Sequence, residues 1–156
     1  MNPQNQTESS GPRITLFACQ NYDKAPSTAH SLLSDLTEIT LHDIHFKCAR
    51  QVTGDDLRSA YESGADGVLL YGCLLHDCHR STENLDVLRS IYLHTLTLKE
   101  LDLAPSRLRE EWATTDTPGH LKSVVIDFAD RLAVLGPAKF KGCRTAGNGT
   151  ALEGEA

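Results

Sequence analysis

The sequence has no long apolar run, no basic stripe and no secretory leader. No stretch approaches the roughly 20 apolar residues that a membrane-spanning helix requires, and the start, MNPQNQTESSGP, lacks the basic and apolar parts of a signal peptide. The 15 Lys and Arg residues are scattered in a chain of formal net charge -6, so no face is predicted to bind a phosphate backbone. We therefore expect a cytoplasmic protein that neither inserts into a membrane nor binds nucleic acid.

The composition predicts one folded domain. The chain has 156 residues, of which 40% are hydrophobic and 23% charged, which is ordinary for a globular protein of this size. Both ends are polar and are separated from the middle by Gly-Pro pairs. We predict an N-terminal tail over residues 1–12, a domain over 13–137 and a flexible C-terminal tail over 138–156.

Short β-rich runs alternate with helical patterns along the middle of the chain. Strands are predicted at 13–18, 39–46, 67–71 and 108–112, and helices are predicted after Pro26 and at 55–63, 84–104 and 121–135. The third of these helices is expected to bury Leu85, Leu88, Ile91, Tyr92 and Leu96. A βαβαβαβα order implies a mainly parallel four-stranded sheet with helices on both faces, connected by right-handed crossovers. The predicted fold class is α/β, a single flavodoxin-like domain.

Four of the five cysteines fall at strand ends in this scheme. Cys19 ends the first strand, Cys48 follows the second, and Cys73 follows the third, with Cys78 in the same loop. The carboxyl ends of parallel strands meet at one edge of the sheet, where ligands bind. Four thiolates sharing one site match the ligand number of a [2Fe-2S] or [4Fe-4S] cluster, and soft thiolates select iron-sulfur or zinc.

The cysteine pattern alone leaves alternatives open. Cysteine is often an ordinary core residue, and a structural zinc site would use the same four ligands. A dithiol switch usually carries C-x-x-C, which is absent. Binding of a flavin or nucleotide is disfavoured, because the turn after the first strand, residues 19–24, has no glycine to let a phosphate approach the backbone.

The third strand and the loop after it carry a specific resemblance. The segment GADGVLLYGC at 64–73 continues to HDCH at 76–79, and it is accompanied by FAC at 17–19, KCAR at 47–50 and REEW at 109–112. In these motifs the sequence resembles the delta (iron-sulfur) subunits of methyl-viologen-reducing hydrogenases over about residues 13–137. Tyr22 stands where that family commonly has a further cysteine, and the family's C-x-G-R is here Cys48-Ala49-Arg50-Gln51.

The resemblance implies a function in electron transfer. Such proteins bind a [2Fe-2S] cluster, which here implies Cys19, Cys48, Cys73 and Cys78 as ligands and no catalytic residue. They dock on flavin- and iron-sulfur-containing subunits of complexes such as heterodisulfide reductase, and similar subunits occur in class II benzoyl-CoA reductases. A structural zinc-binding adaptor in such a complex is the alternative. Cys143 is expected to be a free thiol and His79 to hydrogen-bond near the ligands. Five further histidines are expected to be surface residues without a role: His30, His42, His45, His94 and His120.

Overall fold

The computed structural model of the chain describes residues 11–19, 33–46, 48–74, 84–113 and 119–139. The tails predicted over 1–12 and 138–156 fall almost entirely outside these ranges, as does most of the helix predicted after Pro26, so the domain limits stay predictions. Within the described ranges, no helix is long and apolar enough to cross a bilayer.

The core of the fold is one parallel sheet. Its strands are β1 (Arg13–Ala18), β2 (Thr40–Phe46), β3 (Gly67–Cys73) and β4 (Leu108–Ala113), and they lie in the order β2-β1-β3-β4, with all three neighbouring pairs parallel. This order matches the first four places of the flavodoxin-like arrangement. The prediction of an α/β fold with β4 at an edge is confirmed.

Helices cover both faces of the sheet. They are α1 (Gly54–Glu62), α2 (Asn84–Glu100) and α3 (His120–Leu135), and two short 3-10 helices span Ala49–Gln51 and Pro105–Arg107. Successive side chains of β3 point to opposite faces: Leu69 and Tyr71 join the core under α3, whereas Val68 and Leu70 join the core under α1 and α2. The complete burial of β3 on both faces agrees with its uninterrupted apolar sequence.

The structure corrects the predicted buried stripe of α2. Tyr92 is 63% exposed and Leu96 is 36% exposed; the side chains of Leu85 and Leu88 lie outside the described part. Among the side chains of α2 that the structure describes, those of residues 89–100, the buried ones are instead His94, Thr97 and Leu98, and Ile91 is half-buried. His94 and Leu98 are four positions apart and lie on one face of the helix. Because His94 is polar, a prediction based on the positions of apolar residues selects a different face as the buried one.

Buried hydrogen bonds fix the edge of the sheet at which the strands begin. Arg107 is only 7% exposed, and its guanidinium donates to the carbonyl oxygens of Asp66, Leu135 and Pro137. Tyr61 donates its hydroxyl to the carbonyl of Arg107 at 2.9 Å, and burial raises the pKa of this phenol. These bonds hold the end of α3 to the start of β3, at the edge opposite to the cysteines.

Candidate metal centre

Two of the predicted cysteines lie in direct contact. The sulfurs of Cys19 and Cys73 are 3.2 Å apart, and the two residues are 7% and 3% exposed. The backbone N–H of Cys19 donates to the carbonyl of Tyr71 at 2.9 Å, and the N–H of Leu74 donates to Ala113 at 3.2 Å. Backbone hydrogen bonds of β1, β3 and β4 therefore hold both thiols in place. Cys73 is the last residue of β3 and not, as predicted, a loop residue after it.

The strand order explains why this pair is suited to binding a ligand. The chain passes from β1 outward to β2 on one side, and from β3 outward to β4 on the other. The strand order therefore reverses between β1 and β3, and ligands of parallel α/β sheets bind at the carboxyl ends of the strands at such a point. Cys19 directly follows β1 and Cys73 ends β3, so the two sulfurs lie at the switch point of the sheet.

The distance between the sulfurs is closer to that of a shared metal than to that of a disulfide. Two thiolates that are 2.3 Å from one tetrahedral ion stand about 3.8 Å apart, whereas bonded sulfurs are about 2.05 Å apart. From the observed 3.2 Å, the two sulfurs would have to move apart by about 0.6 Å to share a metal ion. They would have to approach by more than about 1 Å to form a disulfide. The pair fits the donor chemistry that an iron-sulfur or zinc centre needs.

The structure brings Cys48 to the same edge of the sheet but not into contact with this pair. Cys48 precedes the 3-10 helix Ala49–Gln51 and is partly exposed. Ala49 packs over Gly72, whose missing side chain points to the face opposite to that of Cys73. No group of three or more metal-binding side chains occurs among the described residues. The role of Cys48 as a ligand is therefore still a prediction.

The remaining sequence predictions for this site lie outside the described residues. They concern Cys78, His79 and Cys143, none of which falls in the ranges that the structure describes. Cys78 follows Cys73 by five positions, so the sequence separation allows both thiols to reach one site at the carboxyl edge. Its assignment as a ligand also stays a prediction.

A partly buried cationic side chain, Arg50, follows Cys48 by two positions. The guanidinium carbon of Arg50 is 6.0 Å from the centre of the Trp112 ring, which is a cation-π distance. Its Nη2 atom is buried and has no hydrogen-bond partner in the part of the chain that the structure describes. An unsatisfied buried donor is costly, and an anionic iron-thiolate group nearby would satisfy it. Arg50 therefore agrees with the same kind of centre as the cysteine pair.

Sequence reasoning missed one polar pair close to the site. His94 is 2% exposed and makes hydrogen-bond contacts to Glu110 at 2.8 Å and to the carbonyl of Val52 at 2.7 Å. The prediction that His94 is a surface residue is therefore wrong. The sequence does indicate a buried polar contact, because Glu110 is a charged residue inside a strand and needs a partner if it faces a helix. The positions of the histidines in the sequence do not identify His94 as that partner.

The fold and the site define the chain as a parallel α/β protein with paired cysteines at the switch point. A family model described as the delta subunit of methyl-viologen-reducing hydrogenase matches residues 14–136. This range includes the whole sheet apart from Arg13. It also includes every cysteine except Cys143. The chain belongs to this family. The resemblance noted in the sequence motifs is thereby confirmed.

Individual relatives agree with this assignment. The chain is 32% identical over 135 residues to an iron-sulfur subunit of the F420-non-reducing hydrogenase from Archaeoglobus profundus, with 83% of this chain and 95% of the relative covered. It is 25% identical over 132 residues to the vhc iron-sulfur subunit of the F420-non-reducing hydrogenase from Methanococcus voltae, covering 83% and 90%.

A third relative is a much longer protein. The chain is 30% identical over 128 residues to one subunit of the ferredoxin/F(420)H(2)-dependent CoB-CoM heterodisulfide reductase from Methanosarcina acetivorans. The match covers 81% of this chain and 16% of that protein. A segment similar to this chain is thus part of a larger polypeptide in that relative.

Proposed function

We propose that the chain binds one [2Fe-2S] cluster through Cys19, Cys48, Cys73 and Cys78 and relays single electrons within a multisubunit oxidoreductase complex. The observation that carries the proposal is the contact between the sulfurs of Cys19 and Cys73 at the switch point of the sheet. The two hydrogenase relatives, which are named iron-sulfur subunits, support iron over zinc.

The protein contributes ligands, shielding and charge to this activity. A [2Fe-2S] cluster, when bound, accepts and releases one electron at a time. Cys19 and Cys73 would supply thiolates from a buried edge of the sheet, and the backbone hydrogen bonds of Cys19 and Leu74 hold these residues in place. Arg50 supplies a positive charge close to the ligand segment of Cys48, which favours the more negative, reduced state.

The partners we propose are flavin- and iron-sulfur-containing subunits of a hydrogenase/heterodisulfide reductase-like or class II benzoyl-CoA reductase-like complex in the cytoplasm. The match to part of a heterodisulfide reductase polypeptide supports a position beside such a protein. A single-electron carrier with no substrate site of its own needs a redox group on each side. These neighbours would supply the electron and receive it.

Spectroscopy on anaerobically purified protein and cysteine variants tests the proposal. We expect visible absorption that bleaches on reduction by dithionite, and an electron paramagnetic resonance (EPR) signal from the reduced state. Serine substitution of Cys19 or Cys73 should abolish or alter both, as should substitution of Cys48 or Cys78. Cys143→Ser is the matched control and should leave both spectra unchanged. A wild-type protein without either signal would contradict the proposal.

A structural zinc site is the alternative, because the same thiolates suit it. The two centres differ in colour and in redox behaviour, since zinc has no redox chemistry. Colourless protein that carries one zinc ion per chain would favour the adaptor function over electron transfer.

A further inference from the structure

A further buried polar group in the described part of the fold is the pair formed by His94 of α2 and Glu110 of β4. The Nδ1 atom of His94 lies 2.8 Å from a carboxylate oxygen of Glu110, and its Nε2 atom lies 2.7 Å from the carbonyl oxygen of Val52. His94 is 2% exposed, and the Glu110 side chain is 12% exposed. One imidazole ring therefore connects a helix, a strand and the loop that follows β2.

The partners of His94 determine its charge. A carbonyl oxygen only accepts hydrogen bonds, so Nε2 must carry a proton, and an ionised carboxylate requires a second proton on Nδ1. Burial by itself lowers the pKa of His94, but the hydrogen bonds to Glu110 and Val52 and the negative charges of Glu110 and Asp56 more than reverse this effect, so the pKa is raised. The contacts of both nitrogens thus favour the protonated ring, in which each nitrogen can donate.

The carbonyl that His94 holds belongs to the segment that begins with Cys48. Val52 follows the 3-10 helix Ala49–Gln51, in which the N–H of Gln51 donates to the carbonyl of Cys48 at 2.8 Å. Thr53 then starts α1 with a reciprocal capping box to Asp56. The contact between His94 and the carbonyl of Val52 thus ties the residues that follow Cys48 to α2.

Close packing next to this bond leaves the segment little freedom. A side chain at Gly54 would come within 2.5 Å of the Thr97 hydroxyl on α2, so the backbone two residues after Val52 packs closely against the helix that carries His94. A buried ion pair is weak as a source of stability, because desolvation of both charges offsets their attraction. In some proteins such a pair instead specifies one geometry among several apolar packings.

We propose that His94 and Glu110 are positioning residues for Cys48, holding residues 48–53 in the conformation that presents its thiol at the carboxyl edge of the sheet. The inference rests on the proposed function for the assignment of Cys48 as a ligand. The anchoring of the segment itself follows from the contacts of His94 alone.

The test compares His94→Gln with the matched control His42→Gln, which removes a histidine from the first half of β2, away from the cysteine edge. Amide hydrogen exchange of the full-length protein, measured by mass spectrometry, follows the peptide that covers residues 48–53. We expect its exchange to speed up about tenfold in His94→Gln, because a hydrogen bond from a charged donor is lost. Glu110→Gln keeps an acceptor and removes the charge, and should give a smaller change in the same direction.

The EPR spectrum of the reduced cluster separates positioning from general destabilisation. His94→Gln should alter the wild-type spectrum, and the same substitution in a Cys48→Ser background should produce no additional change. Unchanged exchange at 48–53 and an unchanged spectrum in His94→Gln would overturn the inference. A wild-type protein without a cluster would instead overturn the proposed function, and hydrogen exchange would still decide whether His94 anchors the segment.

Discussion

Gly72 is the position where a single added methyl group should damage the site. A Cβ atom there would lie 2.4 Å from Cζ3 and 2.6 Å from Cε3 of Trp112, and 3.1 Å from the Cβ of Ala49. Ordinary contact begins near 3.4 Å, so the indole ring would have to retreat by about 1 Å. Such a movement would also change the contact of the ring with the guanidinium of Arg50, whose carbon is 6.0 Å from the ring centre.

We therefore expect Gly72→Ala to lower the free energy of unfolding by about 1–3 kcal/mol, the usual cost of overpacking. The displacement of Trp112 and Ala49 should also move the segment that carries Cys48 and change the EPR spectrum of the cluster. Urea unfolding, followed by far-ultraviolet circular dichroism, measures the first effect. The slope of the free energy against urea should stay constant, since the same surface is exposed on unfolding.

Gly67→Ala is the matched control in the same strand. Its Cβ would lie 2.6 Å from a Leu132 methyl and 2.7 Å from the Phe128 ring, on the face opposite to Trp112 and at the other end of β3. It should destabilise the protein to a comparable degree and leave the cluster spectrum unchanged. The reasoning would be refuted by a Gly72→Ala protein with wild-type stability and spectrum, or by a Gly67→Ala protein with an equally altered spectrum.

Three further predictions concern charged groups. Arg50→Gln should lower the reduction potential by an amount on the order of 50 mV, the scale of a tenfold change in a one-electron equilibrium, while Arg50→Lys keeps the charge and should shift it much less; a spectroelectrochemical titration decides. Because the pKa of His94 is raised in the folded state, its stabilisation is complete below about pH 6.5 and is lost as the pH rises through the folded pKa. Urea midpoints measured from pH 6 to 9 should decline accordingly in the wild type and should decline less in His94→Gln; equal slopes would contradict the charge assignment. Arg107→Leu should cost about 3 kcal/mol or more, because three carbonyls lose a charged donor, and a urea midpoint close to that of the wild type would show that these bonds contribute little.

The sheet and its cysteine edge were predictable because they depend on short-range patterns. The uniform apolar run of β3 and the spacing of Cys19 and Cys73 are properties of the sequence, and parallel topology alone places both at one edge. The contact between the two sulfurs follows from β1 and β3 being neighbours. The location of the switch point could not be predicted, because it depends on the spatial order of the strands. The predicted succession of strands and helices along the chain does not give that order.

The polar interior was not predictable in the same way. His94 lies on the buried side of α2 with Leu98, but hydrophobic counting passes over a histidine and selects Tyr92, which is exposed. Its burial depends on Glu110 and on the carbonyl of Val52, and both contacts are distant in sequence. The close packing at Gly72 could not be predicted either, because it depends on where Trp112 packs.

The most direct test of the account is the iron, zinc and acid-labile sulfide content of the full-length protein purified without oxygen. The account predicts two iron atoms and two sulfides per chain, the composition of one [2Fe-2S] cluster, with no stoichiometric zinc, and a loss of both iron and sulfide in the Cys19→Ser and Cys73→Ser proteins. Protein that contains zinc and no sulfide, or iron and sulfide that remain at wild-type levels when both Cys19 and Cys73 are replaced, would contradict it.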